Sequence, residues 1–338
     1  MRAVQFERLH EVNIVTKAVP PLGRNDVLID VEACGVCGTD VHIVEGTSRS
    51  NPPVVLGHEY CGIVEDVGPG VKGLQAGQRV AVDPNIFCGT CYYCHRGLVH
   101  LCSNLRALGV DIDGGMAERC VVPATQVYRV PDGMSADVAA LVEPVSCGVH
   151  GIDLAGIQAG DTVVVIGGGT MGLVMAQLAR ASGAARVVVV ESLEQKRAIA
   201  KQRGVDHVLD PATDDVPAAI RDLTGVGADL VIECVGKPET VQLSMELARR
   251  GATVEIFGVC PIGATMPLEP NMVYFKELRI VGSYINPHTF DRALSLLASG
   301  AVSTEGFSIE RFPLEGVEEA FRSTREGRAM KSILMPQS

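Results

Sequence analysis

The 338-residue sequence predicts an α/β protein made of a β-rich domain and a doubly wound parallel-sheet domain. Three observations carry this expectation. Residues 1 to about 145 hold short alternating apolar runs broken by Gly and Pro. From near Asp161, short apolar strands alternate with segments of helical period. After about Asn286 comes one amphipathic helix, then a tail of mixed strand and helix signals.

In the first region, Asp26–Glu32 and Gln78–Val82 read as strands, and Pro52-Pro53, Gly68-Pro69-Gly70 and Gly114-Gly115 read as turns. In the second, strands are expected to begin near Thr162, Arg186, His207, Ala228, Thr253 and Leu278. Met171, Val174, Met175 and Leu178 share one helical face. Alternating β and α units imply a parallel sheet with helices on both faces. Phe290, Ala293, Leu294 and Leu297 have i, i+3, i+4, i+7 spacing and read as a helix ending at Gly300. The tail from Val302 to Met335 is expected to fold back onto the first domain. The domains expected are therefore 1–145 with 286–338, and 146–285.

Composition narrows the class. With 47% apolar residues the chain can bury a core. Eleven cysteines without a secretory signal point to the reducing cytoplasm. No apolar run approaches the ~20 residues of a membrane span. A net charge of −11 argues against a nucleic-acid partner.

Cys88, Cys91, Cys94 and Cys102 are spaced C-x2-C-x2-C-x7-C. Four thiolates so close can complete a tetrahedral shell, which suits a structural zinc. Buried free cysteines do not explain the spacing, and a disulfide pair needs an oxidising compartment. An iron–sulfur run has a shorter last gap followed by proline, whereas Ser103 follows here.

Val163–Ile166 runs into Gly167-Gly168-Gly169-Thr170-Met171-Gly172, which fits G-x-G-x-x-G through Gly167, Gly169 and Gly172. The flanking strand and helix make this a Rossmann dinucleotide motif, with pyrophosphate at the helix N-terminus. Glu191, at the end of the second strand, suits a ribose diol and disfavours a 2′-phosphate, so NAD is expected. Lys196 is a nearby cation that would tolerate phosphate.

Three further segments hold candidate ligands: Cys34-Gly-Val-Cys37-Gly-Thr39-Asp40-Val-His42, Gly57-His58-Glu59 with Gly62, Gly68 and Val71, and Glu143-Pro144. Together with the cysteine lobe and the glycine motif, in this order, they resemble the zinc-containing medium-chain alcohol dehydrogenases, most closely the polyol and threonine dehydrogenase branch. The resemblance implies a GroES-like catalytic domain with a structural zinc lobe at 88–102, joined to the Rossmann domain. It implies that Cys37 and His58 bind a catalytic zinc, with Glu59 a third or alternating ligand. Glu143 would bind directly or through water. Thr39 and His42 match proton-relay positions. Met171, Glu191, Lys196, Phe257, Gly258 and Val259 match cofactor contacts, and Cys34 is structural. Three protein ligands leave an open position, at which zinc polarises an alcohol oxygen.

The implied activity is oxidation of a secondary alcohol, a polyol or sugar alcohol, with hydride transfer to NAD. Two zinc ions per chain and a homotetramer or homodimer are implied as well. L-Threonine 3-dehydrogenase is the alternative within the class. A non-catalytic dinucleotide-binding protein is the alternative outside it; relatives of that kind lack the catalytic ligands present here. Sorbitol dehydrogenases tend to carry Arg-Tyr where Ile285-Asn286 stand.

Overall fold

A computed structural model describes every residue from Met1 to Ser338. They divide into two compact units, Met1–Ser146 with Asn286–Ala298 and Phe307–Ser338, and Cys147–Ile285 with Ser299–Gly306.

The first unit centres on strand Asp26–Val36. It pairs antiparallel with Glu59–Val67 along its length, with Arg119–Pro123 over its first half and with Lys331–Leu334 at its end. Its first half alternates, with Val27, Ile29 and Val31 turned into the core. From Ala33 to Val36 every residue is buried, because helix Val317–Glu326 packs Val317, Ala320 and Phe321 into the same cluster as Cys34 and Val36. Ser332 lies opposite Val36. The tail thus returns to the first domain and supplies a strand to its sheet. Helix Phe290–Ala298 buries Phe290, Ala293, Leu294 and Leu297, the face read from their spacing.

The second unit is a six-stranded parallel sheet. Its order is His207–Leu209, Arg186–Val190, Thr162–Ile166, Ala228–Glu233, Ala248–Ile256, Arg279–Gly282. The winding reverses between the third and fourth of these, as in a doubly wound dinucleotide fold. Val163–Ile166 and Val187–Val190 are continuous apolar runs rather than alternating, since both faces of the sheet are covered.

Three expectations are corrected. The fifth strand starts at Ala248, not near Thr253; its register slips opposite Ala228–Leu230, and the charges of Arg249 and Arg250 mask its start. Residues 299–306 group with the second unit, because Ser303 N–H donates to Gln177 Oε1 (2.8 Å) and Arg203 donates to Ser303 Oγ (3.1 Å). The helical stretch Ala136–Ala155 is long and apolar enough to cross a membrane. Asp137, Glu143, His150 and Asp153 interrupt it as a sequence run, and 78% of it is buried inside the protein, as in a core helix.

Candidate active site and metal centres

Strands Asp26–Val36 and Glu59–Val67 set Gly35 opposite Glu59. Cys37 and His58 lie just beyond that pair, so strand register alone brings thiol and imidazole to one sheet end. One donor atom each of Cys37, His58 and Glu59 lies within 4.8 Å of the others. A thiolate, an imidazole and a carboxylate this close form the kind of mixed donor set that holds a catalytic zinc, whose bonds are about 2.0–2.3 Å long.

Helix Gly38–Glu45 starts at this point with Cys37 as its N-cap. Asp40 Oδ2 accepts the Cys37 N–H (2.8 Å), and Cys37 Sγ accepts the Thr39 N–H (3.4 Å). The second oxygen of Asp40 lies 3.4 Å from His58 Nδ1. Asp40 is fully buried, and its one carboxylate caps the Cys37 backbone with one oxygen while the other stands beside the imidazole as a charge. Burial opposes a charged His58, but Asp40 and then Cys37 outweigh it and hold the imidazole pKa well above its ordinary value.

Sequence reasoning missed Lys331. It opens the closing strand, one step before Ser332, which faces Val36. That register places it beside Cys37, where its ammonium forms an ion pair with Glu59 Oε2. Both side chains are buried, Lys331 at 7% exposure and Glu59 at 2%. Burial opposes the charge on Lys331; Glu59, then Cys37 and Asp40, more than offset it and raise the pKa. Removing one member of a buried ion pair costs about 3–5 kcal/mol, so the pair is part of the site's architecture. A Cβ on Gly35 would collide with Glu59 Oε2 and Lys331 Cε, which explains a glycine inside this strand.

The remaining residues are more dispersed. Glu143 is buried in the first turn of helix Val142–Ala155 and lies outside the three-donor cluster. Thr39 Oγ1 is 3.6 Å from Cys37 Sγ. His42 is one helical turn further on, with Nδ1 3.0 Å from Thr47 Oγ1; no hydrogen bond joins Thr39 to His42. Cys34 is wholly buried in the apolar core, and burial pushes its thiol pKa far up. Asn286 is buried and accepts from Asn85 Nδ2 (2.6 Å).

The cysteine lobe springs from the antiparallel pair Asn85–Ile86 and Arg106–Ala107. Cys88, Cys91, Cys94 and Cys102 bring their sulfurs together, Cys88 to Cys102 at 3.5 Å and Cys91 to Cys102 at 3.9 Å. A tetrahedral shell with Zn–S bonds of about 2.3 Å has edges of ~3.8 Å. A disulfide would bring two sulfurs to about 2.05 Å, and all eleven cysteines are free. Cys88 N–H and Asn104 N–H each donate to Cys102 Sγ at 3.3 Å. Backbone N–H groups, Thr90's first, hold the Cys88 thiol down to about 5.

In the second unit, Gly167 has φ of +100° where the first strand turns into helix Thr170–Ala181. A Cβ on Gly172 would overlap the Gly167 carbonyl, so helix and turn touch backbone to backbone. Gly169 faces open space at the helix N-terminus. Glu191 Oε2 accepts the Gly168 N–H (2.7 Å) and its Oε1 accepts the Leu193 N–H (2.8 Å). Glu191 therefore braces the glycine turn and does more than end a strand. Met171 and Lys196 are half-buried on the helices that follow the first and second strands. Arg197, not singled out from sequence, donates to the Glu191 carbonyl (3.0 Å) and pairs with Asp210 (2.9 Å). Phe257 and Gly258 donate N–H bonds to the Glu233 carbonyl at 3.0 and 2.8 Å, leaving Val259 78% exposed. These groups gather at the carboxyl ends of the strands, where the winding reverses.

Comparison with known proteins gives matching results. Residues 23–132 match the alcohol dehydrogenase GroES-like domain, and residues 170–299 match the zinc-binding dehydrogenase domain. The chain is 36% identical to an L-threonine 3-dehydrogenase of Pyrococcus horikoshii, covering 95% of this chain and 94% of that protein. It is 33% identical to D-arabinitol dehydrogenase 1 of Uromyces fabae, covering 99% and 97%. A crystal structure from Sinorhizobium meliloti, described as a zinc-binding dehydrogenase bound to NADP, superposes with a TM-score of 0.95. It is 41% identical and covers 99% of each chain.

Proposed function

This chain belongs to the zinc-binding dehydrogenase family, and we propose that within it the protein oxidises a secondary alcohol of a polyol or sugar alcohol to the ketone, using NAD. The observation that carries this reading is the convergence of Cys37, His58 and Glu59 on one point beside buried Asp40. That donor set counts against a non-catalytic dinucleotide-binding protein. Glu143 is proposed as a further ligand, direct or through water.

A zinc ion held by these residues supplies Lewis acidity toward the alcohol oxygen. The protein's own groups do the rest. Asp40 caps the helix start beneath Cys37 and sets a negative charge beside His58. Thr39 is proposed to take the substrate proton; its hydroxyl lying 3.6 Å from Cys37 Sγ supports this. His42, one turn along the same helix face, is the next station, with water bridging the two. Gly167, Gly169 and Gly172 open the backbone to the pyrophosphate, and Met171, Lys196 and the Phe257–Val259 stretch line the cofactor. Glu191, whose oxygens already accept from Gly168 and Leu193, is proposed to accept the ribose diol with its remaining lone pairs, which is the ground for preferring NAD.

L-Threonine 3-dehydrogenase is the second reading, favoured by the 36% identity to the Pyrococcus enzyme. A panel of polyols, 2,3-butanediol and L-threonine, each run with NAD and with NADP, separates the two. Turnover of threonine alone would refute the polyol reading, and a preference for NADP would refute the role given to Glu191. Two zinc ions per chain, one at Cys37 and one in the lobe, are expected by metal analysis of protein purified without chelator. A homotetramer or homodimer in the reducing cytoplasm completes the proposal, in keeping with eleven free cysteines.

A further inference from the structure

We infer that Lys331 is a positioning residue for the catalytic centre: its ammonium holds one oxygen of Glu59 and so restrains that carboxylate from becoming a permanent metal ligand. The inference rests on the metal reading of Cys37, His58 and Glu59 and goes beyond it, because none of the ligand motifs contains a lysine.

The geometry is specific. Three neighbouring strands end together, in the order Glu59–Val67, Asp26–Val36, Lys331–Leu334. Gly35 and Val36 fix the register on both sides, with Glu59 opposite Gly35 and Ser332 opposite Val36. The absence of a side chain at Gly35 lets Lys331 reach across the middle strand to Glu59 Oε2. A buried lysine needs an anion, and a buried Glu59 needs a cation. Two cations compete for this carboxylate, the lysine and a metal held by Cys37 and His58. With Lys331 keeping its share, Glu59 would stay an exchangeable ligand that an alcohol oxygen could displace. Without the lysine, a metal ion would be the only buried cation within reach of Glu59.

The test compares wild type with Lys331→Met, Lys331→Arg and the double variant Lys331→Met/Glu59→Gln. Three readouts are taken: release of zinc to a chromophoric chelator, the visible spectrum of protein with cobalt(II) at the Cys37 site, and kcat. Lys331→Met should release its catalytic zinc about tenfold more slowly, shift the cobalt spectrum and lose about tenfold or more in kcat, the usual scale for a neighbour of a metal ligand. Lys331→Arg should restore all three toward wild type. The double variant should lose the slow release, because no carboxylate remains to clamp the metal; it also removes the unpaired charge that would threaten folding of the single variant. A merely structural lysine would lower the melting temperature and leave the cobalt spectrum in place. An unchanged spectrum and release rate in Lys331→Met, or faster release, would overturn the proposal while leaving the metal reading intact. Wild-type protein with zinc only in the cysteine lobe would overturn both.

Discussion

Glu255 offers the sharpest quantitative test of the second unit. It lies on strand Ala248–Ile256, is fully buried, and neither carboxyl oxygen has a hydrogen-bond partner. Its carboxyl packs over Gly151, where a Cβ would meet Oε1. Burial pushes its pKa from 4.5 to about 8. The native state therefore holds a proton that the unfolded chain releases. Between the two pKa values the unfolded chain binds fewer protons, so stability falls as pH rises from about 4.5 to 8 and levels off above that. At about 1.4 kcal/mol per pH unit, the loss between pH 5 and pH 8 is roughly 3–4 kcal/mol. Glu255→Gln keeps the shape and cannot ionise. Urea unfolding of both proteins at pH 5, 6, 7 and 8 should give similar stabilities at pH 5 and a gap in favour of the variant that widens with pH. Stability curves that stay parallel across this range would refute the account of Glu255 as a buried neutral acid.

Three further outcomes follow from the same structure. Gly172→Ala drives a methyl into the Gly167 carbonyl, and because backbone cannot swing aside, the variant should lose several kcal/mol of stability and show a large rise in the Kd for NAD by fluorescence titration. Cys94→Ser should lose the zinc of the lobe and melt at least ~5 °C lower by calorimetry; a wild-type melting curve would mean that the lobe holds no structural metal. Cys37→Ser should abolish turnover while circular dichroism stays native and lobe zinc is retained; retained turnover would remove Cys37 from the catalytic centre.

Legibility of the sequence tracked the range of the interactions. The parallel sheet could be read because Val163–Ile166 and Val187–Val190 are continuous apolar runs and the helices repeat an apolar face locally, as Met175 and Leu178 do. The cysteine lobe could be read because all four cysteines fall within one short loop. Cys37, His58 and Glu59 were found by their resemblance to a family pattern; only strand register explains why they meet. Lys331 left no local trace. Its role depends on a strand pairing between the two ends of the chain and on an empty Cβ position at Gly35. The start at Ala248 and the side taken by residues 299–306 were hidden for a related reason, since charged side chains and long-range hydrogen bonds decided both.

The pairing of Val36 with Ser332 also sets a timetable. A ribosome releases strand Asp26–Val36 long before strand Lys331–Leu334, with the entire nucleotide-binding sheet emerging in between. During that interval the carboxyl half of Asp26–Val36 carries an unpaired apolar edge, the kind of surface on which nascent chains associate. The nucleotide-binding sheet, whose strands all come from one continuous stretch, can close first. A destabilising change at 331–334 should therefore appear as poor yield of newly made protein before it appears as a lowered melting temperature.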